Sequence, residues 1–269
     1  MSIISNPNEA IDRLIRATEE ADSATLLVTA MENLAAINHV AAVPTMIAAL
    51  SYNNPGAAVA AVDGLIRIGE PAVEQILTQL DGYNYTARAW AIRALAGIGD
   101  PRGLVTLLGA ATADFALSVR RAAAKGLGTM KWHWFPADLL EIAQEEALEA
   151  LLFVAQEDDE WIVRYSAVAG LEALAGAINN YPEWHDRIQS QFKTLAAEDS
   201  SWAVRARATQ AQRPAQTTMV SSSEPAPEIN WESILNNLYA RKDEERSTLA
   251  EGDPRKYRGL ACVIEPDQP

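Results

Sequence analysis

The feature that most constrains this 269-residue chain is a helix start that recurs with an arginine at a fixed place. Within residues 82–128 the chain reads as one helix, a Gly-Asp-Pro break, a second helix, an acidic turn, and the first helix over again. Superposing Leu95 on Leu127 also superposes Arg88 on Arg120 and Ile92 on Ala124. Trp-Ile-Val-Arg at 161–164 and Trp-Ala-Val-Arg at 202–205 restate the same start. Arg88, Arg120, Arg164 and Arg205 are thus 32, 44 and 41 residues apart, the spacing of stacked helical hairpins. Such a chain buries its core between successive hairpins, which predicts an all-α solenoid of about five to six of them.

Composition agrees. The chain is 49% hydrophobic, and Ala and Leu lead that fraction, which favours close-packed helices over sheet. A net charge of −14 opposes binding to phosphate backbones, so no nucleic acid partner is expected. No run approaches the roughly 18 apolar residues of a membrane span. The first residues have neither a basic start nor an apolar core, so no signal peptide is expected. The single cysteine, Cys262, cannot form an internal disulfide. A cytoplasmic protein is the expectation.

Residues 1–38 read as an N-terminal helical cap and 39–212 as the repeat array. Pro44, Pro71 and Pro101 open helices, where a missing N–H costs nothing, and Gly69 and Gly99 end the helices before them. Residues 129–160 and 179–185 lengthen two units, and insertions in solenoids fall on loops, often on the binding face. Residues 213–229, rich in Pro, Ser and Thr, read as a flexible linker. In 230–269, Trp231, Ile234, Leu235 and Leu238 mark a short amphipathic helix followed by a disordered tail. A helix so short needs something to dock on, its own array or another protein.

The three histidines are scattered, and no phosphate loop, nucleophile elbow or Cys-x-x-Cys pair is present. Residue types alone therefore favour a binding protein over a self-contained enzyme. The repeated arginines have two readings. They form a ladder with acidic turn residues (Asp114, Glu160, Asp199) of their own or neighbouring units, or one or two also contact an anionic ligand. Helix register adds a second set. If Ile92 and Leu95 face the core, Trp90 and Arg93 share another face, with Asp63 and Lys125 at the Arg93 position in other units. A tryptophan beside a basic row in an acidic protein suits something flat and anionic. Tyr85, Trp132 and Trp134 either share that role or pack inside.

The helical repeat with its Gly-x-Gly-Asp-Pro turn resembles the HEAT-like repeat of the phycobilisome lyases. The runs YNNPGAAVAAVDGL (52–65), DGYNY (81–85) and ARAWAIRAL (87–95) resemble, more specifically, the F-type subunit of the E/F bilin lyases. The resemblance implies a heterodimer with an E-type subunit, active only as a pair. That pair attaches phycocyanobilin through a thioether to a cysteine of the phycocyanin α chain. It implies no permanently bound cofactor, the bilin being substrate. Isomerising relatives carry an Asn-His-Cys-Gln-Gly-Asn type motif; the matching loop here, 52–56, lacks His and Cys, which implies a plain lyase. In such a lyase Arg88, Arg93, Arg120, Arg121 and Lys125 would meet the propionates. Tyr83, Tyr85 and Trp90 would stack on pyrrole rings, with Trp132 and Trp134 meeting bilin or partner. Asp63, Tyr52 and Asp114 would handle the proton, Asp63 first because it shares the Trp90 face. The alternative is a non-catalytic HEAT-like adaptor that docks on phycobiliproteins during phycobilisome assembly or dismantling.

Overall fold

The structure is a computed structural model that describes residues 7–80, 84–178, 180–213 and 226–248. Among these residues every regular element is helical, and none is long and apolar enough to cross a membrane. The chain divides into two compact units, Met1–Asp100 and Pro101–Pro269.

The first unit holds three hairpins. They pair α1 (Pro7–Glu19) with α2 (Ala24–Ala36), α3 (Val43–Ala49) with α4 (Pro55–Ile68), and α5 (Val73–Thr78) with α6 (Tyr85–Ile98). The second helices α2, α4 and α6 pack in succession and bury Leu34, Leu65, Ile92 and Leu95. Asn54 and Asn84 cap α4 and α6 by accepting from the Ala57 and Ala87 amides at 3.1 and 3.0 Å. Gly69 and Gly99 end the same helices at φ 74° and 70°, each amide donating to the carbonyl of Leu65 or Leu95 at 2.9 Å. A side chain would be strained at either position, so glycine is what stops these helices.

The second unit holds three more hairpins and one further helix. They are α7 (Leu104–Ala113) with α8 (Leu117–Gly128), α9 (Ala137–Glu157) with α10 (Trp161–Ala175), and α11 (Pro182–Glu198) with α12 (Trp202–Ala211), followed by α13 (Trp231–Thr248). Six hairpins among the described residues meet the expected number. Here too the second helices stack, α8 on α10 on α12. The α8–α10 crossing is backbone against backbone: a Cβ on Gly128 would stand 2.1 Å from the Gly170 carbonyl oxygen.

Some local expectations change. Pro71 and Pro101 lie in 3-10 turns, Glu70–Ala72 and Pro101–Gly103, that precede α5 and α7, and the ladder arginines sit one turn inside their helices. The 129–160 insert is no exposed loop. It forms a 3-10 turn, Trp132–Trp134, that feeds a 21-residue first helix, α9. The carboxy-terminal helix is 18 residues long, not short, and it packs on α7 of its own unit. Ile234 and Leu238 are buried, the Trp231 ring lies 5.5 Å from that of Phe135, and Lys242 donates to Glu146 Oε1 at 3.0 Å. Ile229, at the end of the expected linker, is buried as well. Residues 214–225 and 249–269, Cys262 included, lie outside the described residues.

Candidate functional site

The arginine ladder decides which cations are available. Asp114, Asp158 and Asp199 each stand six residues before an arginine, namely Arg120, Arg164 and Arg205. Each carboxylate turns back to accept an amide two residues on, from Ala116, Glu160 and Ser201, at 2.8, 2.9 and 2.7 Å. That is the Asx turn that opens each second helix. Each arginine donates Nη1 to its own aspartate's carbonyl, at 2.9, 2.7 and 2.6 Å.

Two of them then reach forward to the next hairpin. Arg120 donates Nε and Nη2 to Asp158 at 2.7 and 3.1 Å, and Arg164 does the same to Asp199 at 2.8 and 2.9 Å. The partner of Arg120 is therefore Asp158 and not Glu160, since the six-residue register puts the carboxylate at 158. The hydrogen bonds to Asp158 and Asp199 outweigh burial and raise both guanidinium pKa values. Burial pushes the Asp199 carboxyl up, but the Arg164 and Ser201 hydrogen bonds overcome it and hold the group below its usual value. These forks are closed, so Arg120 is spent on structure. So is Asp114, whose carboxylate shapes the α8 turn. Arg88 is half-buried and also engaged.

Trp90 and Arg93 are different. Both lie on α6, and the Arg93 guanidinium sits 5.5 Å from the centre of the Trp90 ring. Arg93 is exposed and in no ion pair among the described residues. Asp63 occupies the equivalent register on α4, exposed and without a hydrogen bond among those residues. Tyr52, 39% exposed, stands in the turn before α4, and Tyr85 is the first residue of α6. Tyr83 lies outside the described residues. In the second unit Arg121 and Lys125, four apart on α8, are exposed cations with no ion pair among the described residues.

Trp132 and Trp134 do not join such a face. They are 6% and 5% exposed, Trp132 lies 5.3 Å from Phe135, and the Lys131 ammonium covers Trp134 at 3.8 Å. Trp132 packs on Phe135, and it is Phe135 that meets the Trp231 ring of α13. The sequence also hid a groove of about 1100 Å³ between α7, α9, α11 and α13. Its cations are tied to carboxylates, Lys242 to Glu146 and Arg187 to Glu149 at 2.5 Å. With Glu244 and Glu245 added, its charge has the wrong sign for a dicarboxylate. Residues this far apart in the chain leave no periodic signal.

Comparison with known proteins gives the family. Residues 73–172 match the model of HEAT repeats. The chain is 55% identical to the phycocyanobilin lyase subunit beta of Pseudanabaena tenuis, over 95% of this chain and 98% of that one. It is 57% identical to the phycocyanin alpha phycocyanobilin lyase CpcF of a Synechocystis strain, over 64% of this chain and 79% of that one. A chain in the solved complex of CpcE and CpcF of phycocyanin lyase from a Nostoc strain superposes with a TM-score of 0.60 at 50% identity, covering 65% of this chain and 99% of that one. With 55% identity to one such subunit over 95% of its length, the chain belongs to the family of F-type, or β, subunits of phycocyanobilin lyase.

Proposed function

We propose that this chain is the F-type half of a heterodimeric lyase that joins phycocyanobilin to a cysteine of the phycocyanin α chain, and that the Trp90–Arg93 face holds the chromophore. One observation carries the site: Arg93 lies over Trp90 with its charge unspent, five residues past a position where Arg120 and Arg164 are consumed by carboxylates. A propionate meeting Arg93 gains a charge-assisted hydrogen bond worth about 1.5–3 kcal/mol. The Trp90 ring offers its face to a flat pyrrole.

The chemistry asks little of the lyase itself. The nucleophile is the acceptor's thiol, its sulfur forms the C–S bond to ring A, and the displaced π pair takes up a proton. This is a net addition of S–H across a double bond, so no oxidant, reductant or resident cofactor is needed. The lyase must hold the bilin extended and move that proton. Asp63, a free carboxylate at the Arg93 register, is the proton carrier, with Tyr52 near the start of the same helix. Arg121 and Lys125 offer a second pair of free cations for bilin or partner. The protein works in the cytoplasm, in keeping with a chain that holds one cysteine.

The test is co-expression with an E-type subunit, the acceptor and a bilin source. Arg93→Glu and Asp63→Asn should each cut attached chromophore at least tenfold with an unchanged helical spectrum. Normal attachment by Arg93→Glu removes this site. If the wild-type pair leaves the absorption of free bilin unaltered, the adaptor reading takes over.

A further inference from the structure

The ladder has an outer edge that folding does not explain. Leu117, Trp161 and Trp202 each stand three residues before a ladder arginine, at the first residue of α8, α10 and α12. They are 42%, 45% and 77% exposed, and Tyr165, one turn beyond Trp161, is 38% exposed. The first residue of a helix favours small or acidic side chains, which suit its unpaired amides and positive dipole end. Leu117 and Trp161 leave nearly half of their surface bare here, and Trp202 leaves most of its own bare. The Arg120–Asp158 and Arg164–Asp199 forks tie the starts of the three helices side by side, so the side chains form one line.

We propose that this line is the docking edge for the E-type subunit, an inference that rests on the heterodimeric reading above. Each such side chain carries on the order of 200 Å² when bare, so the row exposes about 400 Å² of mostly aromatic surface. That is roughly half of the ~800 Å² each partner contributes to a stable interface, and it has the aromatic make-up of an interface core. A monomer seldom leaves so much apolar surface on one edge. The acceptor protein leaves after every turnover, and between turnovers it would expose the row to aggregation; a permanent subunit keeps it covered. Glu157, Asp159 and Glu198 are exposed around the row. The complementary surface of the E-type chain therefore offers apolar sockets with a basic rim.

The experiment is sedimentation of the full-length chain with its E-type subunit. Trp161→Ser combined with Trp202→Ser should weaken the heterodimer at least a hundredfold, since buried tryptophans are the usual anchors of an interface. Leu117→Lys alone should weaken it about tenfold. Trp202→Ser alone, at a residue 77% exposed, should melt within about 2 °C of wild type and still weaken the heterodimer about tenfold, which separates docking from folding. A dissociation constant unchanged within about threefold overturns the proposal. So does an intact heterodimer whose KM for the acceptor rises, which would give the row to the acceptor instead. A wild-type pair that assembles tightly yet attaches no bilin defeats the proposed function and leaves the docking result standing.

Discussion

Arg164 in the second unit and Arg93 in the first lie on second helices of the same repeat family, yet their surroundings are opposite. Arg164 is 8% exposed and spends its guanidinium on Asp199 and on the carbonyls of Asp158 and Asp159. Arg93 is exposed and touches one indole face. The difference teaches how a repeat divides labour. The arginine in the first turn faces the neighbouring hairpin and is desolvated, so it must be paired. The position five residues later faces away and keeps its charge in water, where a ligand can find it.

The largest effect that tests this contrast is on stability. Arg164→Ala should lower unfolding free energy by about 3–5 kcal/mol, because it strands a buried Asp199 carboxylate. Denaturant melts at neutral pH measure it, and a loss below about 1 kcal/mol would mean the ladder is ornamental. The pH dependence has a definite sign. The folded-state pKa of Asp199 is depressed, so its contribution is present above the ordinary carboxylate pKa of about 3.9 and is lost as pH falls through the lower folded value. Wild type should lose stability more steeply than Arg164→Ala over that acid range.

Removing residues 214–269 comes next. A flexible linker and a disordered tail would leave the array as stable as before on deletion. The docked α13 reverses that expectation. Ile234 and Leu238 are worth about 1.5–3 kcal/mol each when buried, offset in part by the entropy of ordering the helix. A net loss of about 2 kcal/mol in the melt of the truncated chain is expected, and Lys242→Ala, which leaves the buried Glu146 with only the longer 3.5 Å contact to Arg241, should reproduce part of it. An unchanged melting curve would detach α13 from the fold.

These cases also mark what the sequence could disclose. The ladder is legible because an aspartate six residues before an arginine recurs at 114, 158 and 199, and a local period survives in sequence. The pairing of Trp90 with Arg93 is legible for the same reason, three residues being one helical turn. The docking of α13 is not. It rests on Trp231 meeting Phe135 and on Lys242 meeting Glu146, each about a hundred residues away, and no local pattern encodes such a meeting. The exposed line at Leu117, Trp161 and Trp202 has a signal, three residues before each ladder arginine, that burial alone made meaningful.

Tyr181 stands between the two extremes. Its hydroxyl is bonded to Glu141, and that bond, with burial, pushes its pKa up to about 12. A raised folded-state value means the stabilisation is complete below pH 10 and fades as pH rises through 12. Tyr181→Phe should therefore cost at most about 1 kcal/mol at neutral pH, the pair being half in water. Tyrosinate absorbance should lose one late-titrating ring in that variant. If the wild-type protein shows no late tyrosine, the bond to Glu141 does not hold in solution.

The smallest effect comes from making one conservative change at both kinds of site. Arg120 uses its fork in full: Nε and Nη2 grip Asp158, and Nη1 bridges the carbonyls of Asp114 and Phe115. Lysine offers a single ammonium that cannot span those acceptors, so Arg120→Lys should cost about 1–2 kcal/mol. Arg93→Lys keeps the charge, keeps it in water, and loses little against the Trp90 face, since an exposed cation–π contact is worth about 0.5–1 kcal/mol for either side chain. Its melting curve should match wild type within about 0.5 kcal/mol. Its attachment rate should still fall a few-fold, because a carboxylate that meets two guanidinium donors in one plane meets only a point charge on lysine. Equal stability losses at 93 and 120 would erase the distinction between a spent and an unspent arginine, and with it the reason for placing the bilin at Trp90.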